Sequence, residues 1–365
     1  MTKRVRLFAF LFTITFGLYA QQGIGTISFM EGSAQVLRDD QIIGSDRVEI
    51  GFELREFDTI ETADDGYVEV EMAAPSAGSL VKVQPGTAFY FTQEKTRGSW
   101  LKTTFQLLRG SLRLKVGKLR GQEAYEVQTD LAAMAVRGTE FNVDMAPDRS
   151  VLVSVPEGRV ASQSETRTVM AEPGLVATVD PQANIKPILV KPDDIELYRE
   201  YWQTLRLDAL KSNADPAIQQ FSRQWDSQLP RLKNALNILE SQKAVFAKWE
   251  QIHSGNAPEP PLSTAIRDKQ AISRGMLALR SILPVVERTY YTLEGLEDAY
   301  NLGFATKTFT AGNYANAQEF YRVFRQEKDQ NKQLLGLARR YARLYSVIHL
   351  ATGGGPDIMS GIPSF

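Results

Sequence analysis

The 365-residue chain reads as a multi-domain β-plus-α protein, an all-β domain followed by an all-α helical bundle. Three observations predict this. Apolar residues alternate with period two from about residue 26 to 190, then recur at steps of three and four from about residue 195 onward. Glycine, proline and aspartate punctuate the first half at short intervals, as turns between strands require. The chain is also long enough for two cores, and with no cysteine each must hold together by packing alone.

The N-terminus stands apart from both halves. Lys3, Arg4 and Arg6 precede the apolar stretch Leu7–Ala20, a basic region followed by an apolar segment too short for a spanning helix and a small residue at its end. Residues 1–20 are therefore expected to be a signal peptide, which would direct the chain to the periplasm or the cell surface. An uncleaved segment would instead anchor it to a membrane.

Composition narrows the function classes. Hydrophobic residues make up 43% and charged residues 23%, an ordinary globular balance that excludes wholesale disorder. Residues 21–190 carry 24 acidic and 17 basic side chains and residues 191–365 carry 19 and 22, so neither half has the basic charge of a nucleic-acid binder. The absence of cysteine removes disulfides, thiolate nucleophiles and Cys-bound metals. With only His253 and His349, a multi-histidine metal site is not expected, and no cofactor is predicted.

Within the first half the strands share a weak internal repeat. Gly32, Gly66, Gly86, Gly110, Gly138, Gly158 and Gly174 each precede an alternating run, and six of the residues two positions later are apolar: Ala34, Val68, Ala88, Leu112, Val160 and Val176. The glycine is expected to make a turn and the apolar residue to face a core. The exception is Met134–Val143, "MAVRGTEFNV", where Glu140 takes the apolar slot. A bulge at Gly138 would shift the parity so that Phe141 and Val143 point inward. Arg137 and Glu140 would then lie beside the kink, pairing or holding loose backbone groups.

The string Val136-Arg137-Gly138-Thr139-Glu140-Phe141 resembles the signature of the FecR-type domain, a periplasmic or extracellular domain of envelope sensors. Further segments in order resemble the same family over roughly residues 24–180: "GSAQV", "FDTIETADDGYVEVEM", "GTAFYF", "RGSLRLKV", "PEGRV" and "AEPGLVATV". Phe57 departs from the pattern, standing where the family commonly has glycine. The resemblance implies a small β-helix-like stack of strands that contacts other macromolecules. The best-known members signal across a membrane to a cytoplasmic anti-sigma segment. No later apolar stretch in this sequence suggests such a span, so that part of the family's function is not carried over.

Other candidate sites are weaker. Arg109, Arg113, Lys115, Lys118 and Arg120 form a run with no acid among them, and Arg113 and Lys115 share one strand face, a candidate surface for an anionic partner. Asp58 is expected to cap local backbone and Asp64-Asp65-Gly66 to form a turn. No nucleophile elbow, zinc-protease helix or phosphate loop is present, so no catalytic residue is assigned.

In the second half, Ile218, Phe221, Trp225, Leu229, Leu232, Leu236 and Leu239 form one helical stripe, and Ile272 to Tyr300 another. Asp215-Pro216 and Ser263 are expected helix starts, and Pro230 and Pro284 expected kinks. "AGNYANAQEFYRVF" resembles half of a tetratricopeptide unit, which helix packing alone also explains. The predicted organisation is a signal peptide over 1–20, a FecR-type β domain over 21–190, a helical bundle over 191–350 and a flexible tail over 351–365. The expected function is that of a non-enzymatic, exported envelope protein that binds a protein partner. A peptidoglycan- or glycan-binding module is the alternative.

Overall fold

The computed structural model describes residues 23–73, 78–96, 100–117, 123–136, 140–165, 167–306 and 310–354. In chain order the strands are β1 (Gly25–Glu31), β2 (Ala34–Arg38), β3 (Gln41–Ile43), β4 (Glu53–Leu54), β5 (Thr59–Thr62), β6 (Tyr67–Met72), β7 (Leu80–Val83), β8 (Ala88–Thr96) and β9 (Trp100–Lys115). They continue as β10 (Glu123–Gln128), β11 (Ala133–Val136), β12 (Glu140–Met145), β13 (Val151–Glu157), β14 (Val160–Gln163), β15 (Thr168–Ala171), β16 (Leu175–Val179) and β17 (Ile185–Leu189).

These strands make two sheets that face one another. The first runs β4-β1-β6-β7-β9-β12-β13-β16-β17. The second runs β3-β2-β5-β8-β9-β10-β11-β14-β15. All ladders are antiparallel except β9–β10. Ile60, Phe89, Phe105 and Val136 from the second sheet meet Val68, Leu112 and Phe141 from the first in one buried core, which is what period-two alternation provides when one face of each sheet is buried.

The glycine repeat marks where the chain passes between the sheets. Gly32, Gly66, Gly86, Gly158 and Gly174 each lie between a strand of one sheet and a strand of the other. Gly110 does the same inside β9, which pairs with β8 in the second sheet up to Arg109 and with β12 in the first from Gly110 on. Its φ of +86° and the Thr87 side chain against the place a Cβ would occupy exclude any larger residue. Four of the apolar residues that follow these glycines, Ala34, Val68, Leu112 and Val160, enter the shared core. Ala88 and Val176 point the other way and are covered by helices; at Ala88 a register shift against β9 accompanies the reversal.

Phe57 belongs to the same scheme. It lies between β4 in the first sheet and β5 in the second, with φ +67°. This is the left-handed region that favours glycine and costs another residue about 1–2 kcal/mol. Its ring stacks on Tyr90 with centroids 6.2 Å apart, a contact that glycine could not make.

The second half holds α1 (Ile195–Glu240), α2 (Lys243–His253), α3 (Leu262–Asn301), α4 (Ala317–Gln326) and α5 (Lys328–Ala351). α1 and α3 run antiparallel, with Leu239 against Gly275 and Trp225 against Tyr290. α5 runs back along α3, so that Lys332 meets Glu294 and Arg339 meets Glu287. The predicted helix start at Asp215-Pro216 is corrected: α1 begins at Ile195 and continues through Pro216 and Pro230. Upstream residues Trp202 and Leu210 have buried faces to pack, and Asp215 instead accepts hydrogen bonds from the Thr306 backbone N–H and hydroxyl. Pro284 likewise lies inside α3. Asn316 caps α4 by accepting from the Glu319 N–H at 2.9 Å, and Phe320, Tyr321 and Phe324 of the tetratricopeptide-like stretch enter the helical core.

α5 approaches the second sheet closely because of Gly336. A Cβ there would overlap the Asp39 carbonyl oxygen and press on Leu37 at 3.1 Å. Gly336→Ala is expected to destabilise the protein by about 1–3 kcal/mol through overpacking, despite alanine's better helix propensity. Thermal melts of the two proteins check this.

Candidate functional site

Helices cover both outer sheet faces, and charged side chains line the contacts. On the first sheet, Ile195 and Trp202 of α1 pack with Leu152, Val176 and Val190. Beside them the Arg199 guanidinium donates from Nε and Nη2 to both oxygens of Asp144, at 2.8 and 2.6 Å. Both side chains are buried. A planar fork on a carboxylate satisfies donors and acceptors together, which is what makes a buried pair tolerable.

The second sheet carries a longer seam. Outward residues of β2, β5 and β8 meet one face of α5, where Lys332, Arg339 and Arg343 recur at helical spacing. Lys332 Nζ pairs with Glu61 and lies 3.6 Å from Glu294. The Glu61 carboxylate also accepts from the Tyr291 hydroxyl at 2.8 Å and from Gln35 Nε2 at 2.6 Å. Arg339 donates to Glu287 at 2.6 Å and to the Thr59 hydroxyl, with its guanidinium over the Tyr90 ring at 4.8 Å. Arg343 reaches Asp39 at 3.0 Å and Glu250 of α2 at 3.2 Å.

Burial and charge act against each other along this seam. Burial alone would raise the Glu294 carboxyl, but Lys332, Arg109 and Lys328 outweigh it and bring the pKa down to about 2. Glu287 goes the other way: burial raises it more than Arg339 lowers it. Glu56, whose carboxylate accepts from the Gln93 N–H at 2.8 Å, is raised by burial to about 7, against that hydrogen bond and the more distant Arg343.

The residues singled out in the sequence fall into four groups. Arg137, Gly138 and Thr139, with Lys118 and Arg120, lie outside the described residues. Of the rest of the motif, Val136 closes β11 in the second sheet and Glu140 opens β12 in the first, so the motif spans another passage between sheets. Val136 and Phe141 are buried in the core, and Glu140 is exposed. The register shift beside it lies between Glu140 and Asn142 on the ladder with β13, while the ladder with β9 is regular.

The described members of the basic run face outward from β9, with Leu112 and Leu114 in the core behind them. Two of them meet acids of this chain: Arg109 lies 3.8 Å from Asp298 of α3, and Arg113 lies 3.9 Å from Glu196 of α1. Lys115 is exposed.

In the "DTIET" stretch the outcome alternates by face. Asp58 caps the Arg55 N–H at 2.8 Å, as expected, and is also gripped by Arg38. Thr62 accepts from the Thr87 N–H at 2.9 Å. Thr59 and Glu61 turn to α5. The seam residues Glu61, Lys332, Arg339 and Arg343 were not singled out in the sequence. The available signal was the 332, 339, 343 spacing, which equally describes a solvated helix face.

With this arrangement in view, comparison with known families places residues 58–161 in a match to the FecR protein family. The chain therefore carries a FecR-type domain, whose matched span holds β5 to β13 and the start of β14. Two crystal structures of a proposed anti-sigma factor from Parabacteroides distasonis ATCC 8503 are similar at 20% identity and a TM-score of 0.33, over 38% of this chain. The aligned region spans 63% and 62% of those chains, less than two thirds of their length. No curated protein matches the chain.

Two predictions follow from the seam. Lys332→Met leaves Glu61 and Glu294 short of a buried cation and is expected to cost about 3–5 kcal/mol. Adding Glu61→Met should recover part of that loss, both read by denaturant unfolding. The second concerns pH. Because the folded Glu56 pKa is raised to about 7, its contribution is intact below its ordinary value of 4.5 and is lost as pH rises through 7. Glu56→Gln should flatten stability against pH over that window and melt above the parent at pH 8, with thermal melts at stepped pH as the check. Glu294 lies on the opposite side: held at about 2, its contribution is intact above 4.5 and is lost only as pH falls toward 2.

Proposed function

We propose that the protein is an exported, non-enzymatic component of the cell envelope in which the FecR-type domain mediates protein–protein interaction in signalling or scaffolding. The match of residues 58–161 to the FecR family is the observation that carries this reading. The proposal takes the β domain as residues 21–190, in the β-helix-like form the family resemblance implies, and the helical bundle as 191–350. The seam adds a refinement. With α1 on one outer face and α5 on the other, held by Arg199–Asp144, Lys332–Glu61 and Arg343–Asp39, the helices act with the β domain as one body rather than as a loose spacer. Among the described residues no helix is long and apolar enough to cross a membrane, and export is assigned to residues 1–20.

The test is a cross-linked pull-down from the cell envelope with residues 21–365 as bait, run beside sedimentation with insoluble peptidoglycan. Reproducible recovery of one envelope protein, without co-sedimentation, is the expected outcome. Co-sedimentation with peptidoglycan and no specific protein would replace this reading with that of a wall-binding module.

A further inference from the structure

The first turns of α1 bury one face and leave another uncovered. Ile195, Arg199 and Trp202 hold the helix on the first sheet. On the side away from them, Leu197 is 67% exposed, Tyr201 57% and Leu205 39%. Steps of four residues place these three on one stripe, about 12 Å long at 1.5 Å per residue. Leu189, at the end of β17 just before the helix, is 86% exposed. None of the four belongs to a buried cluster, and Tyr201 touches the fold through its ring contact with Tyr198 at 6.3 Å; apolar surface gathered in one place is costly unless something covers it.

The rim of the stripe has a sign. Asp193, Asp194, Glu196 and Glu200 are all exposed around it. Glu196 is shared with Arg199 and Arg113, and Asp193, Asp194 and Glu200 make no ion pair among the described residues. On the other side of the balance, Arg206 is turned to Asp148, and Lys191 beside the helix start and Lys186 on β17 are exposed cations.

We propose that the Leu197–Tyr201–Leu205 stripe, with its acidic rim, is a docking surface for a basic amphipathic helix of a protein partner. The partner's apolar face lies on the stripe and its Lys or Arg side chains meet the rim, a helix-to-helix mode read at steps of three and four. A second copy of this chain would bring acidic rim against acidic rim, and an anionic lipid surface would be repelled by it. The stripe is already fixed in place, because the opposite face of the same turns is locked by Trp202 and the Arg199–Asp144 fork, so docking requires little ordering of this chain. The proposal rests on the reading above that the protein binds other proteins and adds where and what kind.

The experiment uses residues 21–365 and two labelled helical probe peptides with the same leucine face, one flanked by lysines and one by glutamates, followed by fluorescence polarisation. The lysine peptide is expected to bind on the order of tenfold more tightly, and less tightly as salt rises. Leu197→Ala/Tyr201→Ala/Leu205→Ala should abolish that binding with an unchanged melting temperature, since the three side chains are exposed. Glu200→Lys should weaken it without touching the stripe. Equal binding of the two peptides, or binding that survives the triple variant, overturns the proposal. So does a dimer in sedimentation velocity that the triple variant dissolves, or binding to phosphatidylglycerol vesicles that it loses. Pull-downs separate the two levels of inference. If the parent protein recovers no envelope protein, the reading of function fails. If the triple variant recovers the same protein as the parent, only the docking surface fails.

Discussion

Lys332 carries its charge into a place from which water is excluded, and the carboxylates of Glu61 and Glu294 make that tolerable. The arrangement of the two halves depends on pairs of this kind. Arg339 with Glu287 and Thr59, Arg343 with Asp39 and Glu250, and Arg199 with Asp144 repeat the pattern. Such pairs contribute little net stability beyond well-packed apolar groups, but separating the partners leaves isolated buried charges. They therefore make alternative placements of the helices costly and favour this one. The helices can lie on the sheets only in a register that gives each cation its acid.

That constraint explains why α1 is continuous. Its first turns belong to the first sheet through Trp202 and Arg199, and its later stripe from Leu210 to Leu239 belongs to the helical core. One helix thus ties the placement of the helical region to the placement on the sheet, while α5 does the same on the opposite face through Gly336 and the seam. The β domain is clasped on both outer faces.

The sheets depend on a second device, the corner. A chain that alternates between two facing layers must turn sharply at each passage, and a glycine stands at most of them because a side chain would either strain the backbone or strike the neighbouring strand. Phe57 shows the alternative solution, a left-handed bulky residue compensated by its stack on Tyr90. Val136 and Glu140 bracket a passage of the same type, so the parity break in "MAVRGTEFNV" coincides with a change of sheet.

Much of this was legible along the chain because local patterning reports on one face at a time. Period two, the glycines, the helical stripes and the FecR-type signature marked the two regions, the core residues of β6, β9 and β12, and the family that residues 58–161 match. Local sequence points to a helix start at Asp215-Pro216 because proline is a strong local signal, while the packing that extends α1 upstream comes from β13 and β16, which are distant in sequence. The destination of Arg109 and Arg113 was hidden for the same reason: a basic strand face looks solvated until an acidic helix is laid across it. The sequence by itself determined which residues alternate, where the chain turns and which family it resembles, since these follow from neighbours a few positions apart. Only the tertiary structure decided that Glu61 meets Lys332 and Asp144 meets Arg199. A charge shows no sign in the sequence of whether water or another chain segment will neutralise it.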